Sequence, residues 1–133
     1  MTLDNISKKI TITAGIIGGL AVILGAFAAH GLQSILITSQ IESFQTGVRY
    51  QFYHTFLLLF ISISGFFSSR QKKVLWILLL VGIVLFSGSI YLLNIDEYFF
   101  GTNMKPIAVL TPIGGAVLIA AWTYMTISAY KNH

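Results

Sequence analysis

The chain has 133 residues, 56% hydrophobic and 9% charged, with a formal net charge of +4 and a mean hydropathy of +0.83. Soluble domains carry about a quarter charged residues, so this composition excludes a disordered tail, argues against a water-soluble globule and assigns the chain to a membrane. The 8 Lys and Arg lie at the ends of apolar runs, which argues against nucleic acid as a partner, and the absence of cysteine excludes disulfides and thiolate metal sites.

The charged residues cut the sequence into four uncharged runs. The first begins at Ile10, after Lys8 and Lys9, and passes Ala29. The others lie between Arg49 and Arg70, between Lys73 and Asp96, and between Lys105 and Lys131. Each accommodates a helix of about 20 residues, enough to cross roughly 30 Å of hydrocarbon. The expected spans are 10–31, 50–68, 74–94 and 106–129, in one domain covering 1–133. Lys8, Lys9 and Ala26-Phe27-Ala28 imitate a secretory signal, but the apolar run exceeds a signal core, so the first helix is expected to be retained. Helix is preferred to strand because a lipid-exposed backbone must satisfy its own hydrogen bonds, and these runs lack barrel-like alternation. The fold class is therefore all-α, an integral membrane four-helix bundle.

Before the second span, Ser39 and Glu42 have capping-box spacing, and Ile41, Phe44 and Val48 recur on one face. A short outer amphipathic helix over about 40–49 follows, and Gly47 leaves open its continuation into the second span. Lys8, Lys9, Arg70, Lys72, Lys73 and Lys131 fall on one side of the membrane, with Arg49 and Lys105 on the other. Both termini are expected in the cytoplasm of a multi-pass inner (plasma) membrane protein.

Lipid is as apolar as leucine, so small residues should mark the helix seams. In the first span Ala14, Gly18, Ala21, Gly25 and Ala28 form a stripe, with Gly15 and Gly19 as a GxxxG beside it. In the fourth, Pro112, Ala116 and Ala120 run next to Gly114 and Gly115. These stripes seal one chain or join protomers, and four thin helices make a homo-oligomer an expectation. Trp76, Trp122, Tyr91, Tyr98, Tyr124 and Tyr130 read as an aromatic belt.

By depth, all four spans offer a polar group to one layer in the outer leaflet: His30, then Tyr50 and His54, then Ser87 and Ser89, then Thr111, with Arg49 at the rim. Ordinary interhelical glue is the bland reading of this layer. A binding site is the sharper one, with Arg49 attracting an anionic headgroup above His54 and Tyr50. The expected function is non-enzymatic binding of a membrane lipid or small amphipathic ligand; the alternative is a small proton-linked transporter or channel formed by a homo-oligomer. His30 and His54 lack the carboxylate or thiolate support expected of a haem or metal centre, so no cofactor is expected. No nucleophile motif or paired carboxylates occur within a span, which argues against an enzyme.

Four segments carry a family resemblance: Gly25-Ala26-Phe27-Ala28-Ala29-His30-Gly31-Leu32, Phe44-Gln45-Thr46-Gly47-Val48-Arg49-Tyr50-Gln51-Phe52-Tyr53-His54, Leu85-Phe86-Ser87-Gly88-Ser89-Ile90-Tyr91 and Thr111-Pro112-Ile113-Gly114-Gly115. In this order they resemble the transmembrane protein 256 type, a domain-of-unknown-function family (four-two-three) of small membrane proteins in bacterial inner membranes and in eukaryotes. The resemblance covers nearly the whole chain and implies a four-span bundle but no activity. Ala28 stands where that pattern commonly has glycine.

Overall fold

A computed structural model describes residues 4–132, and these are helical apart from short turns. The order is α1 (Asn5–Ala29), α2 (Thr38–Ile63), α3 (Ser69–Ile83), a π-helical turn (Val84–Gly88), α4 (Ser89–Phe100), a 3-10 turn (Lys105–Val109) and α5 (Leu110–Lys131). α3, the π-helical turn and α4 form one continuous rod, Ser69–Phe100. Four rods thus run up and down, with both described chain ends at one end of the bundle, called the terminal end below. α1 packs chiefly on α2, while α5 packs chiefly on α3 and the π-helical turn.

Each end has a local cause. Asp4 caps α1, its Oδ1 accepting from the Ser7 N–H at 3.0 Å. Ser68 and Gln71 form a reciprocal capping box that starts α3. α4 stops at Gly101, whose φ of 60° closes the helix in a left-handed conformation that glycine adopts without steric cost. Beyond it, Asp96 accepts from the Glu97 N–H (2.8 Å) and the Met104 N–H (2.7 Å), folding the turn back onto α4. Pro106 lies in the first turn of the 3-10 segment, where its missing N–H costs nothing.

Several expected boundaries move. The amphipathic helix is not a separate element: α2 runs unbroken from Thr38 through Gly47 to Ile63. It starts one residue after Ile37, whose N–H is taken by the Gln40 side chain, so Ser39 and Glu42 lie inside the helix and form no capping box. Its lower end, Ile63, falls short of the expected residue 68, because 64–68 make the turn that leads into α3. At the other end of the bundle, helix continues to Phe100 where a loop was expected after 94.

Three helical rods are long and apolar enough to cross a membrane: Asn5–Ala29, Ser69–Phe100 and Lys105–Lys131. α2 is long enough but falls outside this set, since Gln40, Glu42, Gln45 and Arg49 lie in its first half and Gln51 just past its middle. The largely exposed apolar side chains of the other rods, such as Ile12, Ile23, Val84 and Ile119, fit a lipid surround.

Two apolar clusters fill the interior. One lies towards the terminal end and joins Ile10, Leu58, Ile61, Leu75 and Leu79 to Leu118 and Ala121. The other lies towards the loop end and joins Ala28, Leu32, Phe44 and Val48.

Glycines govern the closest seams. A methyl group added at Gly114 would stand 2.7 Å from the Leu85 carbonyl carbon, so α5 lies directly on the backbone of the π-helical turn. Gly47 admits Tyr91 in the same way, with 2.7 Å to the ring. Gly18 faces Thr55 and Gly25 faces Val48 across the α1–α2 seam, flanked by buried Ala14, Ala21 and Ala28. Gly115 faces the ring of Phe86. The other small residues turn out of the bundle: Gly15 and Gly19 have open space beside them, and Pro112, Ala116 and Ala120 are exposed. The GxxxG therefore seals no seam within the chain.

Candidate functional site

The expected polar layer resolves into separate tiers. Ser89 and Thr111 meet, hydroxyl to hydroxyl at 2.6 Å, and join α4 to α5 near the loop end. Ser87 turns the other way and donates to the Gly47 carbonyl of α2 at 2.7 Å. His54 touches neither serine. It lies about 10 Å nearer the terminal end than Gly47, at ~1.5 Å per residue along α2, roughly halfway up the bundle.

There His54 is buried, with both ring nitrogens engaged. Nδ1 lies 2.7 Å from the Tyr50 carbonyl oxygen, and the Trp122 indole N–H points at Nε2 from 3.2 Å. A carbonyl can only accept and an indole N–H can only donate, so the partners assign the proton to Nδ1 and the lone pair to Nε2. The imidazole is therefore neutral in this arrangement. It is a crosslink between α2 and α5, and α5's contribution is a residue that reads from sequence as belt.

His30 and Arg49 do not join these tiers. His30 is the exposed C-cap of α1. Arg49 is exposed on α2 and donates to the Thr46 hydroxyl at 2.8 Å, one turn towards the loop end, as a snorkelling side chain does. Tyr50 is half-exposed, packs on Phe86 with ring centroids 4.8 Å apart, and stacks over His54 at 6.2 Å.

Two polar assemblies escaped the sequence reading. Gln51 is buried, donates to the Ile17 carbonyl at 2.8 Å and accepts from the Tyr91 hydroxyl at 2.6 Å, so one amide ties α1, α2 and α4. Its signal was available, since an uncharged amide in an apolar helix needs partners as much as a histidine does. Lys72 is buried at the terminal end, where its Nζ donates to the Ser7 hydroxyl (2.8 Å) and the Ser62 carbonyl (3.1 Å). From sequence it counts as one more topological charge. Beside it, hydrogen bonds from Ser7 and then Ser69 hold the Asp4 carboxyl down to about 2, well below the usual carboxylate range.

Among the described residues α2 and α5 do not approach backbone to backbone. Between them lies a cleft of about 730 Å³, walled by Tyr50, Tyr53, Phe56, Phe86, Ile119 and Trp122, with His54 on its inner side and Gly115 leaving room opposite. It is almost wholly apolar and is open to the surround. A cleft of this size accommodates a small ligand. No group of three or more His, Cys, Asp or Glu capable of holding a metal occurs among the described residues.

An all-helical bundle with lipid-suited outer faces, interhelical hydrogen bonds and glycine seams defines a small integral membrane protein. The chain belongs to the family described as "Protein of unknown function (DUF423)", whose model matches residues 24–115. It is 35% identical over 126 residues to a UPF0382 membrane protein of Haemophilus influenzae, covering 95% of this chain and 96% of that one. It is 36% identical to the UPF0382 membrane protein YwdK of Bacillus subtilis, covering 92% and 98%. It is 33% identical to the UPF0382 inner membrane protein YgdD of Escherichia coli, covering 94% and 92%. No solved structure matches the chain.

Proposed function

We propose that this protein binds, without catalysing a reaction, the apolar part of a lipid or small amphipathic molecule in the cleft between α2 and α5. The observation that carries the reading is the cleft itself: about 730 Å³ of aromatic-walled space held open at mid-depth, where the two helices are bridged by His54 and Trp122. Such a space in a bilayer fills with an apolar chain. Tyr50 and the neighbouring Arg49, both exposed, mark the loop end of the cleft and suit a polar or anionic head. His54 acts as wall rather than ligand donor, because both its nitrogens already have partners.

The reading includes four membrane passes, α2 among them, with both termini in the cytoplasm of the inner membrane. Six of the eight basic residues at the terminal end support this orientation. Native mass spectrometry of the full chain extracted in mild detergent tests the binding. Wild type is expected to retain an extra mass that Ile119→Trp, which fills the cleft from an exposed position, removes without lowering thermal stability. An identical retained mass in the two proteins would refute the proposal.

A further inference from the structure

α1 and α3 both start at the terminal end and run the same way, and the residues between them form one continuous face. Lys9, Thr13, Leu20 and Leu24 recur at helical spacing on α1; Lys73, Trp76, Leu80 and Val84 do so across the π-helical boundary on the facing rod. At the terminal end this face opens as a cleft of about 490 Å³, lined by Lys9, Arg70 and Lys73 and floored by Ile6 and Trp76. All three cations are exposed. The acid that lines the cleft, Asp4, is already committed: its oxygens take hydrogen bonds from the Ser7 N–H and the Ser69 hydroxyl. Asp4 keeps its negative charge, so the cleft sets three positive charges, Lys9, Arg70 and Lys73, against one negative. Lys72 is not part of it, being turned into the bundle onto Ser7 and Ser62.

Higher up the same face the furrow becomes apolar. A second crevice of about 230 Å³ is bounded by Leu20 and Leu24 on one side and Leu80 and Val84 on the other. Between the two, Trp76 donates to the Thr13 hydroxyl at 3.1 Å, fixing the indole where headgroups meet acyl chains. Leu80 stands about 10 Å above Lys73 at ~1.5 Å per residue, within one leaflet of a roughly 30 Å hydrocarbon layer. Basic pockets between transmembrane helices, placed at headgroup level, bind anionic lipid heads.

We infer that the α1–α3 furrow is a binding site for an anionic phospholipid, its phosphate held by Lys9, Arg70 and Lys73 and an acyl chain laid against Leu20, Leu80 and Val84. This site is independent of the α2–α5 cleft and lies across the bundle from it. The test is native mass spectrometry of the full chain titrated in detergent with phosphatidylglycerol or phosphatidylcholine of identical acyl composition. Retention of phosphatidylglycerol is expected to exceed that of phosphatidylcholine on the order of tenfold. Lys9→Gln/Arg70→Gln/Lys73→Gln should abolish the preference. Lys8→Gln/Lys131→Gln, which removes charge from the same end but outside the cleft, should keep it, as should Ile119→Trp. Equal retention of the two lipids, or equal loss of preference in both charge variants, would overturn the site. Displacement of phosphatidylglycerol by glycerol 3-phosphate at equal concentration would also overturn it, leaving a phosphate site without a role for the furrow.

Discussion

Trp122 donates its indole N–H to His54 Nε2 at 3.2 Å, while His54 Nδ1 faces the Tyr50 carbonyl at 2.7 Å. One imidazole is thus held in a single tautomer by two helices whose backbones stay apart. This relationship couples cleft and bundle: the side chains that hold α2 to α5 also line the space between them.

Trp122→Phe keeps an aromatic wall but leaves Nε2 buried without a donor. The expected cost is about 1–3 kcal/mol, the usual penalty for orphaning a buried polar atom, read as a lower midpoint of thermal unfolding in detergent. In wild type, nitrogen NMR of the labelled ring should show a protonated Nδ1 and an unprotonated Nε2. Finding the proton on Nε2 would contradict the hydrogen-bond assignment.

The Gln51–Tyr91 pair permits a cleaner energetic test. Tyr91→Phe leaves Gln51 Oε1 without its donor in a buried setting, whereas Gln51→Leu with Tyr91→Phe removes both partners. The Ile17 carbonyl released by the double change lies within α1 and keeps its helical bond. Tyr91→Phe alone should cost about 1–3 kcal/mol. Adding Gln51→Leu should recover part of that loss, giving a coupling energy near 1 kcal/mol in a double-mutant cycle. A strictly additive cycle would show that the 2.6 Å contact carries no stability.

How much of this was legible in the sequence follows from what each signal measures. Length and hydropathy report the medium, so the helical membrane bundle and most helix positions could be read directly. Depth along a helix was legible only to within a few turns, because the estimate counted from charged flanks. α2 defeats that count: its upper half is polar and helical at once, and Arg49 is an exposed snorkelling residue part-way along α2 rather than a rim. His54 therefore lies deeper than its distance from Arg49 implies, and Ser87 meets Gly47 instead. Azimuth was the harder quantity. A stripe of small residues marks a face but not its direction, which is why Gly18 and Gly25 lie in a seam while Gly15 and Gly19 face outward. Ser87 and Ser89, two residues and so about 200° apart on a helix, address different helices, and the π-helical turn adds a further rotation beyond Gly88. No periodicity argument contains that insertion.

The glycine seams make the azimuthal distinction measurable. At Gly114 an added methyl group collides with backbone atoms of Leu85 and Phe86, which cannot rotate away. Gly114→Ala should therefore force α5 off the π-helical turn and cost about 1–3 kcal/mol or more, as overpacking does. Gly15→Ala and Gly19→Ala meet open space and remove a poor helix former. They should leave the unfolding midpoint unchanged or raise it. Loss of stability in Gly19→Ala as large as in Gly114→Ala would place the GxxxG face against a neighbouring protein surface.

Asp4 supplies a pH test at the terminal end, outside the spans. Its carboxyl titrates at about 2 when folded, against 3.8 as the reference for an unconstrained chain. A depressed carboxylate contributes stability that is fully present above the unfolded value and is lost as pH falls through the folded one. The contribution should therefore be constant from neutral pH down to about 4 and disappear as pH falls towards about 2. Asp4→Asn keeps an N-cap acceptor but not the charge, so it isolates the electrostatic part of the contact with Ser7 and Ser69. Wild type should unfold at a higher temperature than Asp4→Asn at pH 7, and the two curves should converge over that acidic window. Because the group is exposed, the gap should also narrow in high salt. A gap that persists undiminished at pH 2 would mean that the aspartate acts through side-chain shape and not through its charge.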